Sequence, residues 1–266
     1  MEEKNIRILL QYDGTRYDGW QKQGNTQQTV QGKLEAVLSR LAGGPVEVHG
    51  SGRTDAGVHA LGQVANFHLP LSAFCGSQTE AADMIRIKNY LNEYLPEDIR
   101  VLAAEEARPR FHSRLNALSK TYIYRIETAD KNDVFERKYR YGLGKEPDLE
   151  IMKRAASILV GTHDFRAFSS LKKTKKSTVR TISRIDIRRD GTQLEILLEG
   201  NGFLYNMVRI IVGTLVEAGL LERSVQSVKE ALESLDRSLA GKTAPAKGLF
   251  LSAVAYDCLL YTSRCV

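Results

Sequence analysis

The sequence predicts an α+β fold built in two halves, each packing helices on one face of a sheet. Three observations carry that expectation. Apolar residues alternate in short runs near residues 6–10, 64–67, 122–126, 185–198 and 249–256, as strands require. Between these runs, apolar residues recur every three or four positions near residues 29–42, 81–95, 151–159 and 224–235, the spacing of amphipathic helices. The order strand, helix, strand, loop, strand, helix, strand in the first half is that of an α+β unit. The second half repeats that order of elements with different letters and no true sequence repeat.

Composition narrows the function classes. The 266 residues are 42% hydrophobic and 26% charged, an ordinary balance with ample core for stable folding. Lys and Arg number 38 against 32 Asp and Glu, a net charge of +6, and the isoelectric point is near 9.1. That excess suits a polyanionic partner, although many basic proteins bind no nucleic acid. The N-terminus runs straight into a strand pattern without a long apolar segment. Neither a signal peptide nor a membrane span is expected, and the cytoplasm is the expected compartment. Cys75, Cys258 and Cys265 are odd in number and lack Cys-x-x-Cys spacing. They read as reduced thiols, not as a disulfide framework or a zinc site.

Taken in order, Ile6, Ile8 and Leu10 share one face of the first strand, which Tyr12-Asp13-Gly14-Thr15 ends. Tyr17, Trp20, Gln21 and Gln23 follow in a polar, aromatic loop. A lone tryptophan is most often core packing, and the same loop also suits the wall of a cleft. Val30, Leu34, Val37, Leu38 and Leu41 form a helical stripe, stopped by Gly43-Gly44-Pro45. Val46 and Val48 predict a short strand into a glycine-rich loop, and Val64, Ala65 and Phe67 the strand leaving it. Met84, Ile87, Leu91 and Leu95 give a second helix closed by Pro96, before a strand at 101–103. From Arg108 onward, Arg108, Arg110, Arg114, Lys120 and Arg125 interleave with Phe111, His112, Tyr122 and Tyr124. Cations among rings suit a nucleic-acid surface, and the same letters describe a strand at 122–126 with Tyr122 and Tyr124 on one side.

A helix over 151–159 precedes His163-Asp164-Phe165-Arg166-Ala167-Phe168 and then the most basic run of the chain. Lys172, Lys173, Lys175, Lys176 and Arg180 lie there among Ser and Thr. Charge runs are usually solvated loops, and this one also fits a flexible phosphate-binding arm. A hairpin around Asp190-Gly191 follows. Met207, Val208, Ile210, Ile211, Val212, Leu215 and Val216 leave almost no polar face, so this helix is expected to be buried with Arg209 in its middle. A guanidinium there needs an anion or an escape to the surface. A last helix near 224–235 and a strand at 249–256 close the pattern, and the tail at 259–266 is expected to fray. The expected division is 1–107 and 108–258.

The candidate chemistry centres on Gly50-Ser51-Gly52-Arg53-Thr54-Asp55-Ala56-Gly57-Val58-His59. Glycines permit tight turns and close approach to a ligand. Between them sit one carboxylate, Asp55, and one guanidinium, Arg53, whose charge favours the ionised acid. For an arbitrary loop of this composition a backbone-capping Asp is the simpler reading. No Lys-Ser or Lys-Thr follows a Gly-x-x-x-x-Gly frame, so the loop is not a P-loop. Asp55, His59 and His49 lack the spacing of a metal motif, so no metal is expected, and no Ser or Cys nucleophile has a recognisable base. An idle RNA-binding protein and a metal-dependent hydrolase are the rival classes. The first has no use for Arg209 in an apolar helix, and the second needs Asp55 and His59 as ligands.

Arg53-Thr54-Asp55-Ala56-Gly57-Val58-His59, continuing to Gly62-Gln63-Val64, resembles the catalytic motif of the TruA-type tRNA pseudouridine synthases. Tyr12-Asp13-Gly14, Tyr122-Ile123-Tyr124, Tyr205-Asn206-Met207-Val208-Arg209 and Pro245-Ala246-Lys247-Gly248-Leu249 resemble further elements of that family, in its order. The resemblance implies two ferredoxin-like halves forming an extended, mostly antiparallel mixed sheet with helices on one side and a central basic cleft. It implies a homodimer that converts uridine to pseudouridine at positions 38, 39 and 40 of the tRNA anticodon stem-loop, with no metal, nucleotide cofactor or membrane partner. Asp55 is then the essential carboxylate, as nucleophile at C1′ or as the base that starts an elimination. Arg53 fills the space of the flipped nucleotide or holds its phosphate, and Arg209 keeps Asp55 ionised. Tyr122 stacks on the uracil and handles a proton, Leu249 floors the pocket, and the Lys172–Lys176 run reaches for phosphates.

Overall fold

The computed structural model describes residues 3–74, 79–131, 133–171 and 176–257. In chain order its regular elements are β1 (Glu3–Tyr12), α1 (Val30–Ala42), β2 (His49–Gly50), β3 (His59–Pro70), α2 (Glu80–Tyr94), β4 (Ile99–Ala107) and β5 (Ala117–Glu127). They continue with β6 (Tyr141–Gly142), α3 (Leu149–Leu159), β7 (Gly161–Asp164), β8 (Val179–Asp190), β9 (Gln193–Gly200), α4 (Met207–Gly219), α5 (Val225–Ser234) and β10 (Leu249–Tyr256). The fold is α+β. The chain forms two compact units, Met1–Leu118 with Leu251–Val266, and Ser119–Phe250.

In the first unit the strand order is β4-β1-β3-β10, with β2 also against β3. β1 runs antiparallel to both neighbours, Ile8 facing Ala65 on one side and Ala104 on the other. Ile6, Ile8 and Leu10 are fully buried, as their alternation requires. Helix α1 starts where Thr29 accepts a hydrogen bond from the Gly32 amide and stops where Gly43 takes a left-handed φ of 68°. Helix α2 buries Met84, Ile87 and Leu91 and ends at Leu95, whose backbone is already extended, as the following Pro96 demands.

Two features of this unit differ from the expected layout. Val46 and Val48 form no strand, and only His49 and Gly50 pair with β3. The Val48 amide donates to Glu35 Oε1 (3.2 Å) and its carbonyl accepts from Gln31 Nε2 (3.0 Å). Two buried side chains of α1 thus satisfy a backbone that a ladder would otherwise serve. The break between units falls after Leu118, not after residue 107. Phe111 is 3% exposed and packs with Val64, Ala107 and Tyr256, and Asn5 Nδ2 donates to its carbonyl (2.8 Å). Ser113 N donates to Asn66 Oδ1 (2.9 Å) and Tyr256 Oη donates to Ser113 O (2.6 Å). The basic segment and the last strand are therefore stitched to the first unit.

In the second unit the order is β5-β9-β8-β7, with β6 on β5. β5–β9, β9–β8 and β8–β7 are antiparallel, and the short β6 is parallel to β5. Helix α3 packs against α4, α5 and β8. Helix α4 is buried along almost its whole length, from Met207 and Val208 to Ala218 and Gly219, as its unbroken apolar run predicts.

Candidate active site

The Asp55 loop hangs between β2 and β3, and hydrogen bonds from neighbouring segments hold its backbone at several points. Ser51 N donates to Val64 O (2.7 Å), and Ser51 Oγ donates to Gln63 Oε1 (2.6 Å). Gln63 Nε2 donates to Gly52 O (3.0 Å), and Tyr12 Oη shares a 2.7 Å hydrogen bond with Thr54 Oγ1. Trp20 N donates to Thr54 O (3.0 Å), Gly57 N to Tyr17 O (3.2 Å), and Val58 N closes a turn onto Asp55 O (3.1 Å). Gly57 stands third in that turn with φ 73°, a position where type II turns favour glycine. Burial alternates accordingly. Arg53 is exposed, Thr54 is 5% exposed, and Asp55 is half-buried.

The expected use of the glycines changes at Gly50. A Cβ there would lie 2.4 Å from the Trp20 ring, so this glycine admits the protein's own indole and not a ligand. Trp20 is 2% exposed, which settles it as the support of the loop. Tyr12 is 3% exposed; burial pushes its hydroxyl up to about 12, opposed by its hydrogen bonds with Thr54 and Gln63. It therefore stays protonated at neutral pH. His59 is buried, and its Nδ1 accepts from Gly14 N (3.1 Å) and lies 3.1 Å from Asp13 Oδ1. His49, Asp55 and His59 are not brought into a metal cluster, and the described residues hold no group of three or more His, Cys, Asp or Glu fit for one.

Arg209, Tyr122 and Leu249 belong to the second unit. Arg209 stands in the first turn of α4, not in its middle, because the helix begins only at Met207 behind Asn206, whose φ is 60°. It is half-buried. Its Nε donates to Ala244 O (2.7 Å) and its Nη1 to Asn206 Oδ1 (3.0 Å), while Ala244 N donates to Arg209 O (3.0 Å). These bonds fix the plane of the guanidinium. A cation in the first turn of a helix opposes the helix dipole, a cost that a nearby anion would offset.

Tyr122 and Tyr124 share the buried face of β5, at 7% and 0% exposure. The Tyr122 ring meets Phe203 edge-on, with centroids 5.2 Å apart. Tyr124 Oη donates to Pro245 O (2.7 Å), and burial drives its hydroxyl far above the ordinary tyrosine range, opposed by the Arg209 charge. Leu249 is 5% exposed and opens β10 behind Gly248. A Cβ at Gly248 would lie 2.7 Å from Arg125 O and 2.8 Å from the Tyr124 ring.

The basic segment sorts into two kinds. Arg108, Arg110 and Arg114 are exposed, and the His112 ring stacks on His49 at 4.8 Å. Burial, with the His49 charge next, lowers the His112 pKa. Arg125, by contrast, is bound to Glu195 (2.9 Å) and lies over the Phe250 ring. Phe111 and Tyr124 are core. Lys176 is exposed; Lys172, Lys173 and Lys175 lie outside the described residues. Thr54 and Gln63 stand in the motif, but sequence reasoning gave them no role. Their signal was a glutamine between Gly62 and Val64 within an apolar strand, where an amide is costly unless it is bonded.

Fold and loop together define a carboxylate-bearing enzyme, and comparison with known proteins names its family. A family model described as tRNA pseudouridine synthase matches residues 8–115 and 155–257. Arg53, Asp55, Arg209 and Leu249 fall within those spans, and Tyr122 falls between them. A tRNA pseudouridine synthase A of Bacillus sp. (strain KSM-64) is 47% identical over 95% of this chain and 99% of its own. A tRNA pseudouridine synthase A 2 of Bacillus cereus is 43% identical over the same shares, 95% and 99%. The tRNA pseudouridine synthase A of Clostridium kluyveri is 44% identical over 95% of this chain and all of its own. The chain belongs to the tRNA pseudouridine synthase family, and is an isomerase.

Proposed function

We propose that this chain converts uridine to pseudouridine at positions 38, 39 and 40 of the tRNA anticodon stem-loop, with Asp55 acting at the ribose. The observation that carries the reading is the loop itself. A buried lattice of hydrogen bonds holds Ser51, Gly52 and Thr54, while Asp55 is left half-buried and Arg53 exposed. Family membership and the printed names of the relatives support the reaction and the tRNA substrate.

In the reaction the uridine leaves the helical stack, a step that costs a few kcal/mol. The N1–C1′ bond breaks, the uracil turns, C5 bonds to C1′, and the C5 proton is lost as N1 gains one. Nothing is added or removed overall. Asp55 attacks C1′ or takes a ribose proton to open an elimination; both routes begin from an ionised carboxylate. Arg209 is the cation assigned to Asp55, supported by its fixed guanidinium and its place in the first turn of α4. Arg53, exposed on the same loop as Asp55, takes the place of the flipped nucleotide or its phosphate. Tyr122 stacks on the uracil and Leu249 forms the floor, both supported by their buried positions. Lys172, Lys173, Lys175 and Lys176 contact phosphates. The enzyme acts as a homodimer in the cytoplasm; no described helix is long and apolar enough to cross a membrane.

The test maps pseudouridine in tRNA treated with purified protein. The wild type is expected to modify positions 38–40. Asp55→Asn is expected to form none while binding tRNA within about tenfold of wild type, or about 1.4 kcal/mol. Modification by the variant would overturn the role of Asp55.

A further inference from the structure

We propose that Gln63 is a positioning residue for this reaction, acting through Tyr12 and Thr54 on the peptide that carries the carboxylate. The proposal rests on the reading of Asp55 above and extends it to residues that never meet the substrate. Gln63 is fully buried on β3, and the direction of its amide follows from elementary chemistry. A carbonyl oxygen can only accept, so the amide group 3.0 Å from Gly52 O is the NH₂. The amide oxygen then faces Ser51 Oγ at 2.6 Å, which donates to it. The other NH₂ hydrogen faces Tyr12 Oη at 3.4 Å. A phenol oxygen that accepts there turns its own hydrogen to its remaining neighbour, Thr54 Oγ1, at 2.7 Å. One carbonyl thus sets the sense of a chain of bonds that runs from Gly52 through Gln63 and Tyr12 to Thr54.

Packing alone does not account for this amide. A leucine of similar volume would fill the site, yet it would strand Gly52 O, Ser51 Oγ and the Tyr12 hydroxyl in the interior. The two ends of the chain, the Gly52 carbonyl and the Thr54 hydroxyl, belong to the neighbours of Arg53, and the second adjoins Asp55. A rotation of that short segment carries the carboxylate with it. Misplacing a reacting group by about 1 Å costs on the order of 100-fold in rate. A device that fixes Gly52 and Thr54 is therefore expected to act on the chemical step and not on RNA affinity.

The experiment compares Tyr12→Phe, Thr54→Val, Thr54→Ser, Gln63→Leu and the Tyr12→Phe/Thr54→Val double variant in the full chain. It reads the single-turnover rate of pseudouridine formation at saturating tRNA, the tRNA dissociation constant, and the melting temperature. Tyr12→Phe and Thr54→Val are each expected to slow the rate by about 10- to 100-fold with tRNA affinity within about threefold. The double variant is expected to be no slower than the worse single one, because both cut one chain. Thr54→Ser is expected to recover the rate to within about threefold. Should Gln63→Leu fail to fold, the milder Tyr12→Phe and Thr54→Ser decide the matter. An unchanged rate in Tyr12→Phe would overturn the proposal. So would losses that multiply in the double variant, or a Thr54→Ser as slow as Thr54→Val. Asp55→Asn run alongside separates the two readings: activity there sinks the role of Asp55, whereas an inactive Asp55→Asn beside a wild-type Tyr12→Phe sinks only the positioning chain.

Discussion

Arg53 and Arg209 carry the same guanidinium in opposite settings. Arg53 is exposed on a loop whose backbone is bound on both sides of it, at Gly52 O and Thr54 O, and it has no hydrogen bond or ion pair among the described residues. Arg209 is half-buried, with Nε on Ala244 O and Nη1 on Asn206 Oδ1. In the first case the protein fixes the main chain and leaves the side chain loose; in the second it fixes the side chain itself. The difference teaches how to separate the two tasks. A loose cation at a surface suits a polyanion that arrives from solution, and its worth depends on salt. A planar, hydrogen-bonded cation suits a single anion in a fixed place.

The largest effect is expected at the fixed arginine. If Arg209 holds Asp55 as proposed, Arg209→Leu should slow pseudouridine formation by about 100-fold, less than the roughly 3–5 kcal/mol that breaking a fully buried pair costs, because Arg209 is half-buried. Single-turnover rates at saturating tRNA check this, and a rate within threefold of wild type would remove Arg209 from the mechanism. Arg53→Ala should act on binding instead. One lost phosphate contact predicts a salt slope of tRNA affinity shallower by about one, with affinity weaker by roughly tenfold at low salt. An unchanged slope would show that Arg53 meets no phosphate. The smallest effect is expected at Tyr124→Phe. It deletes the bond to Pro245 O, next to the Ala244 carbonyl that receives Arg209. A loss of about 1 kcal/mol in stability is expected, read by chemical denaturation, with a few-fold change in rate. A large rate loss there would mean that the grip on Arg209 depends on this tyrosine.

Most of the secondary structure was legible because period-2 and period-3.6 patterns are written in the letters. The Ile6-Ile8-Leu10 face and the α4 run needed no tertiary information. The failures arose where a distant side chain overruled a local pattern. Val46 and Val48 have the composition of a strand, yet Gln31 and Glu35 take the Val48 backbone. Arg209 stands in the first turn of α4 and not in its middle because Asn206 reverses the chain with φ 60°, and apolar letters on both sides hide that reversal. The segment after residue 107 looked like the opening of the second half. Its burial of Phe111 and its bonds to Asn5 and Asn66 depend on β1 and β3 lying side by side. In the site, Asp55 and Arg53 were legible as a motif. Gln63 was not, because the direction of an amide is set by partners from separate segments.

The seating of Gly50 on Trp20 has a practical consequence. Trp20 is the only tryptophan of the chain, and its backbone amide is bonded to Thr54 O at 3.0 Å. Every photon of indole emission therefore originates directly beneath the loop that bears Asp55. The protein carries its own optical probe of that loop, free of background from any other tryptophan, and movement of the loop upon RNA binding becomes observable in unlabelled protein.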